Sequence, residues 1–197
     1  MATTAKKQIG SLFRKNLLDM VKGLRSHKTN ECEYINQCLS DIKEEVKSVD
    51  KQTKAVAISK LTYLYMLGYD ISFAHFNVVE VMSQPSFSER RIAYLAASLS
   101  FTTDTDVILL TVHLFKKRFK NSAGSQGGNP SMGLHEGGMY ESGAAINCLA
   151  NICTPYLAET LLEDIYSMMN RCCWWWWALC VLVMMQCSAL TVSDPIH

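Results

Sequence analysis

Residues 61–101 read LTYLYMLGYDISFAHFNVVEVMSQPSFSERRIAYLAASLSF, three apolar groups at helical spacing parted by short polar turns. Leu61, Leu64 and Met66–Leu67 come before Gly68 and Asp70. Phe73, Phe76 and Val79 follow Ser72, and Ile92, Leu95, Ala96 and Leu99 follow Ser86. Each group fits a helix with one wide buried face. Helices joined by turns of a few residues must lie antiparallel to their neighbours, so the pattern predicts an all-α stack. Such a stack is a scaffold; no catalytic constellation accompanies it.

The periodicity extends on both sides. Leu12, Phe13, Leu17, Met20, Val21 and Leu24 mark a first helix, and Ile35, Leu39, Ile42 and Val46 a second. A third runs from about Lys51 to Leu67 and stops at Gly68, the residue type favoured just past a helix end. The fourth begins near Ser72. Ser86 and Glu89 have capping-box spacing for the fifth. The sixth is expected from about Asp104, with Asp106 at its positive end and Lys116, Lys117 and Arg118 at its negative end. A seventh runs to about Ile152. Thr154 can cap an eighth, with Pro155 in its first turn and Leu157, Leu161, Ile165 and Met168 on its buried face. The Tyr63–Leu64 pair recurs as Tyr94–Leu95, each in the second half of an apolar helix. That repeat suits antiparallel helix pairs stacked as a HEAT- or armadillo-like α-solenoid.

Two segments break the pattern. Residues 121–138, NSAGSQGGNPSMGLHEGG, hold Gly, Ser and Asn with one Pro and predict a disordered insertion. Residues 171–197 form an apolar tail containing four consecutive tryptophans. Tryptophan has a single codon, so the run reflects a tandem repeat in the message. A gene-model artefact, a real isoform end and a membrane-inserted segment at 172–192 all stay open for the tail. The expected organisation is therefore a helical-repeat trunk over 1–170 and an aberrant tail over 171–197.

Composition excludes several functions. Charged residues make up 19% and the net charge is +1, so no whole-protein field attracts nucleic acid. The start, MATTAKKQIGSLFRKNLL, lacks the apolar run of a signal peptide, and a cytoplasmic chain is expected. Of eight cysteines, Cys32, Cys38, Cys148 and Cys153 fall in the helical region and read as buried free thiols. Cys148 and Cys153 lack the second pair that zinc needs. His27, His75 and His113 are scattered and read as surface or packing residues, and His135–Glu136 lies in the insertion. With no HExxH, P-loop, GxSxG or CxxC pattern, the chain reads as a non-enzyme without metal or cofactor.

The order of residues carries a resemblance. Leu61, Tyr63, Met66, Leu67, Gly68 and Tyr69, then Arg91, Ile92, Tyr94 and Leu95, resemble the trunk signature of the large subunits of adaptor-protein complexes, the adaptins. Within that family the pattern is similar to the delta branch of third adaptor complexes. Asp70–Ile71–Ser72, Phe76–Asn77, Glu80–Val81–Met82–Ser83, Leu95–Ala96–Ala97–Ser98 and Thr105–Asp106–Val107–Ile108 carry it. The likeness runs from about Ser11 to Met169 with one interruption.

The resemblance implies a vesicle-coat subunit that selects cargo at Golgi or endosomal membranes. It would assemble with beta-type large, medium and small adaptor subunits. It implies docking of an Arf-family GTPase through Phe76, Val79 and Leu110, which as apolar helix residues otherwise read as ordinary core packing. Lys116, Lys117, Arg118 and Lys120 form the strongest basic run. Either they are a solvated helix end, or they touch acidic headgroups peripherally at about 1 kcal/mol per charge. The rival expectation is a generic helical-repeat scaffold or a gene product that does not assemble.

Overall fold

The computed structural model describes residues 16–27, 29–123 and 138–169. These form eight α-helices: α1 (Leu17–Ser26), α2 (Glu31–Val46), α3 (Lys51–Met66), α4 (His75–Met82), α5 (Phe87–Ser100), α6 (Ile108–Ala123), α7 (Gly138–Asn151) and α8 (Pro155–Met169). A 3-10 turn, Ser72–Ala74, leads into α4, and no strand occurs among the described residues. None of these helices is long and apolar enough to cross a membrane. The expected disorder of the insertion falls on 124–137, outside the described residues; residues 121–123 continue α6 instead. The tail, residues 171–197, also lies outside them.

Local signals set most boundaries. Asn16 and Asp19 make a reciprocal capping box at the start of α1. The Asp50 carboxylate accepts from the Thr53 N–H at 3.1 Å to cap α3. At the other end of α3, Gly68 adopts φ +95°, the left-handed region. Its N–H donates to Tyr65 O at 2.8 Å, and the Tyr69 N–H donates to Leu64 O at 3.1 Å. Those two bonds are a Schellman closure, which spends carbonyls the helix would leave free. Thr154 caps α8 as expected, its Oγ1 accepting from the Leu157 N–H at 3.3 Å.

Two starts differ from expectation. Ser86 is the N-cap of α5, but its side chain makes no capping bond. The Arg90 guanidinium closes this corner instead, donating from Nη1 to Gln84 O at 2.6 Å and to Pro85 O. α6 starts at Ile108 rather than near Asp104, because Thr102 and Thr105 close a turn ahead of it. The Thr105 N–H donates to Thr102 O at 2.9 Å, and the Thr102 N–H donates to Thr105 Oγ1 at 2.9 Å. Lys116, Lys117 and Arg118 thus lie within α6, not at its end.

Packing builds a two-layer stack. α1, α3, α5 and α7 pack on one another in order, as do α4, α6 and α8; α2 packs on α3. Helices alternate between layers along the chain, which is the solenoid arrangement. The continuous core runs through Ile35, Ile42, Ile58, Leu61, Leu64, Val78, Met82, Phe115, Ile146, Leu149, Leu157 and Leu161. Tyr94, Phe115 and Phe119 form a row of stacked rings, each pair 6.2 Å apart between centroids.

The register of α5 is corrected. Leu95 is 54% exposed and Leu99 is exposed too, while Ile92 is half-buried. The buried face is Arg90, Ala93, Tyr94, Ala96, Ala97 and Ser100. α5 packs on α3, which has buried alanines of its own, Ala55 and Ala57. Small residues on both sides leave room for close approach, so the bulky leucines turn outward. The stripe expected from Ser72 onward divides, with Phe73 in the 3-10 turn and Phe76 on α4 exposed and Val79 in the core.

Candidate docking surface

Among the described residues no group of His, Cys, Asp and Glu could hold a metal ion. Phe76 is 62% exposed on α4 and Leu110 is 50% exposed on α6. α4 packs against α6, so Phe76 and Leu110 are exposed on neighbouring helices, and Phe73 and Leu109 are exposed as well. Val79 is only 8% exposed and belongs to the core beneath. Phe76 and Val79 lie three apart, but the packing of α4 separates them into an outward and an inward side chain. Lys43 Nζ stands 5.0 Å from the Phe73 ring centroid, a cation over an exposed aromatic ring.

The basic run on α6 is also divided. Lys117 and Lys120 are exposed and Lys116 is half-buried. Arg118 points the other way, into the stack. Its Nε lies 3.0 Å from Glu141 Oε1, so it is engaged inside the protein rather than facing a membrane.

That contact belongs to a buried cluster which periodicity did not reveal. Arg90 on α5 takes the Glu141 carboxylate of α7 with both arms, Nε to Oε1 at 2.6 Å and Nη2 to Oε2 at 2.6 Å. The Glu141 side chain is 12% exposed. The two Nε contacts are close and ionic without hydrogen-bond alignment, and the Nη2 contact is a hydrogen bond. Beside them the Tyr94 hydroxyl has no hydrogen-bond partner. Burial pushes its phenol up to about 12, with the Glu141 charge adding to the effect. Two further pairs stitch α3 to its neighbours: Lys60–Glu45 at 2.6 Å to α2 and Lys54–Glu80 at 2.6 Å to α4. Charged residues inside an apolar stripe give no periodic signal, so only the helix packing brings these partners together.

The isolated histidines do packing and surface work. His27 is exposed and stacks on Tyr34, ring centroids 4.7 Å apart. His75 sits edge-on to Phe101 at 5.0 Å, and desolvation lowers its pKa. His113 is exposed.

Cys38, Cys148 and Cys153 are buried and form no disulfide, as expected, but Cys32 is exposed, because it falls on the outer side of α2. Burial pushes the Cys148 thiol up to about 12. Native protein treated with iodoacetamide at pH 8 should therefore be alkylated at Cys32. Cys38, Cys148 and Cys153 should react at least about tenfold more slowly until the chain is unfolded. Peptide mass spectrometry reads this directly, and equal rates at Cys32 and Cys148 would contradict the placement of α7.

Comparison with known proteins bears on this architecture. Residues 31–172 match the family described as the adaptin N terminal region. The chain is 47% identical over 159 residues to the AP-3 complex subunit delta of Dictyostelium discoideum, covering 81% of this chain and 12% of that protein. It is 42% identical over 179 residues to AP-3 complex subunit delta-1 of Bos taurus, covering 91% and 14%. It is 36% identical over 167 residues to AP-3 complex subunit delta of Saccharomyces cerevisiae, covering 83% and 17%. The chain thus spans less than a fifth of these relatives. A family match across seven of the eight helices, α2 to α8, within an all-α stack leads to one conclusion: the chain belongs to the adaptin N-terminal family and is similar to its AP-3 delta members.

Proposed function

We propose that this chain serves as a non-enzymatic trunk segment of a vesicle-coat adaptor complex. It would act in protein transport between Golgi or endosomes and lysosome-like organelles. The supporting observation is that Phe76 and Leu110 are exposed apolar side chains on packed neighbouring helices, within a stack belonging to the adaptin family. In this reading these side chains dock a GTP-loaded Arf-family GTPase, with Val79 supporting Phe76 from below. Other faces of the stack meet the beta-type large, medium and small adaptor subunits. Lys116, Lys117 and Lys120 give peripheral contact with anionic headgroups, and Arg118 stays inside the stack.

The test separates docking from folding. Phe76→Glu with Leu110→Glu places charges on side chains already exposed, so helicity and melting should hardly change. Burying those charges against an apolar partner costs enough to weaken pull-down of GTP-loaded Arf by at least about tenfold. Val79→Asp is the contrasting variant, since it puts a charge in the core and should lower stability itself. Undiminished Arf binding by the folded double variant would remove these side chains from the site.

A further inference from the structure

Glu141 occupies a position that simple stacking does not require. It lies in the first turn of α7, just beyond the connection formed by residues 124–137. Arg118 lies on α6, just before that connection, and Arg90 comes from α5. One carboxylate therefore joins the two sides of the connection at 3.0 Å and ties both to α5 at 2.6 Å. Arg90 extends the linkage through Nη1 to the carbonyls of Gln84 and Pro85, in the corner between α4 and α5. All three side chains are 12% exposed or less.

We infer that Arg90, Glu141 and Arg118 form a register clamp that positions α7 and α8 on the stack independently of the chain connecting α6 to α7. The physical argument has two parts. Arg90 meets the Glu141 carboxylate with one aligned, charge-assisted hydrogen bond from Nη2 and a close ionic contact from Nε, and the aligned bond is directional, so it selects one sliding position where apolar packing alone accepts several. The clamp also brings the ends of the connection together, and the entropy of closing such a connection rises only slowly with its length. The helices on either side are then expected to keep their register when the chain between them is cut. The inference concerns this chain's assembly and stands whether or not Arf docks on Phe76 and Leu110.

A site-specific protease sequence placed between Gly127 and Gly128 of the full chain tests it. After cleavage, the two pieces should co-elute in gel filtration at micromolar concentration with unchanged far-ultraviolet circular dichroism. With Glu141→Ala the uncut chain should remain helical, but the cut pieces should associate at least about a hundredfold more weakly, as loss of a buried partner implies. Should that variant fold poorly, Arg118→Gln removes only the α6 arm and keeps the Arg90–Glu141 pair, and its cut pieces should also associate more weakly. Pieces that separate with the native triad overturn the proposal. So do cut variants that hold together as tightly as the native sequence, because apolar packing would then be sufficient.

Discussion

Replacing Glu141 with alanine in the intact chain is expected to destabilise the fold by about 3–5 kcal/mol, the range for removing one partner from a buried ion pair. The cost is not the lost attraction alone. Arg90 and Arg118 both remain buried, now facing each other with no carboxylate between them. Tyr94 supplies nothing in return, since its hydroxyl is buried without a partner and is held protonated by that burial. Urea unfolding followed by circular dichroism measures the loss. A change below about 1 kcal/mol would place the carboxylate in solvent, where exposed ion pairs contribute little. Converting all three residues to apolar side chains of similar volume should cost far less, because no charge is then left unpaired. That contrast separates the role of the charges from the role of the packing.

Leu64→Ala and Leu95→Ala should behave very differently, although each leucine follows a tyrosine in the repeated pair. Leu64 is 1% exposed in the core between α3 and its neighbours. Its truncation should cost about 2–5 kcal/mol through lost transfer energy and a residual cavity. Leu95 lies on the outer side of α5, and its truncation should stay within about 0.5–1 kcal/mol. Equal losses in a reversible unfolding assay would show that α5 buries the opposite face.

The difference shows what periodicity can and cannot read. On α5, Ile92, Leu95, Ala96 and Leu99 make an acceptable helical stripe, but Ala93, Tyr94, Ala97 and Ser100 make another. Hydrophobicity alone favours the leucines. The packing of α5 on α3 buries the alanines instead, small side chains that let two helices approach closely. α4 carries the same lesson for the docking surface. Its apolar residues occupy most of its circumference, so spacing placed Phe76 and Val79 together while packing turned one outward and one inward. The Arg90–Glu141–Arg118 cluster was illegible for a different reason. Its members are far apart along the chain, and each reads singly as a solvated charge.

The order of residues by itself determined the helical class, the existence of eight helices, the closure at Gly68, the cap at Thr154 and the family. Those features depend on local backbone chemistry and on apolar spacing within one or two turns, both written directly in the chain. The tertiary structure alone decided which face of α5 and α4 is buried, the exposure of Cys32, and the capture of Arg118 and Glu141 in the stack. Those outcomes depend on the shape and charge that a neighbouring helix presents, which no single helix encodes.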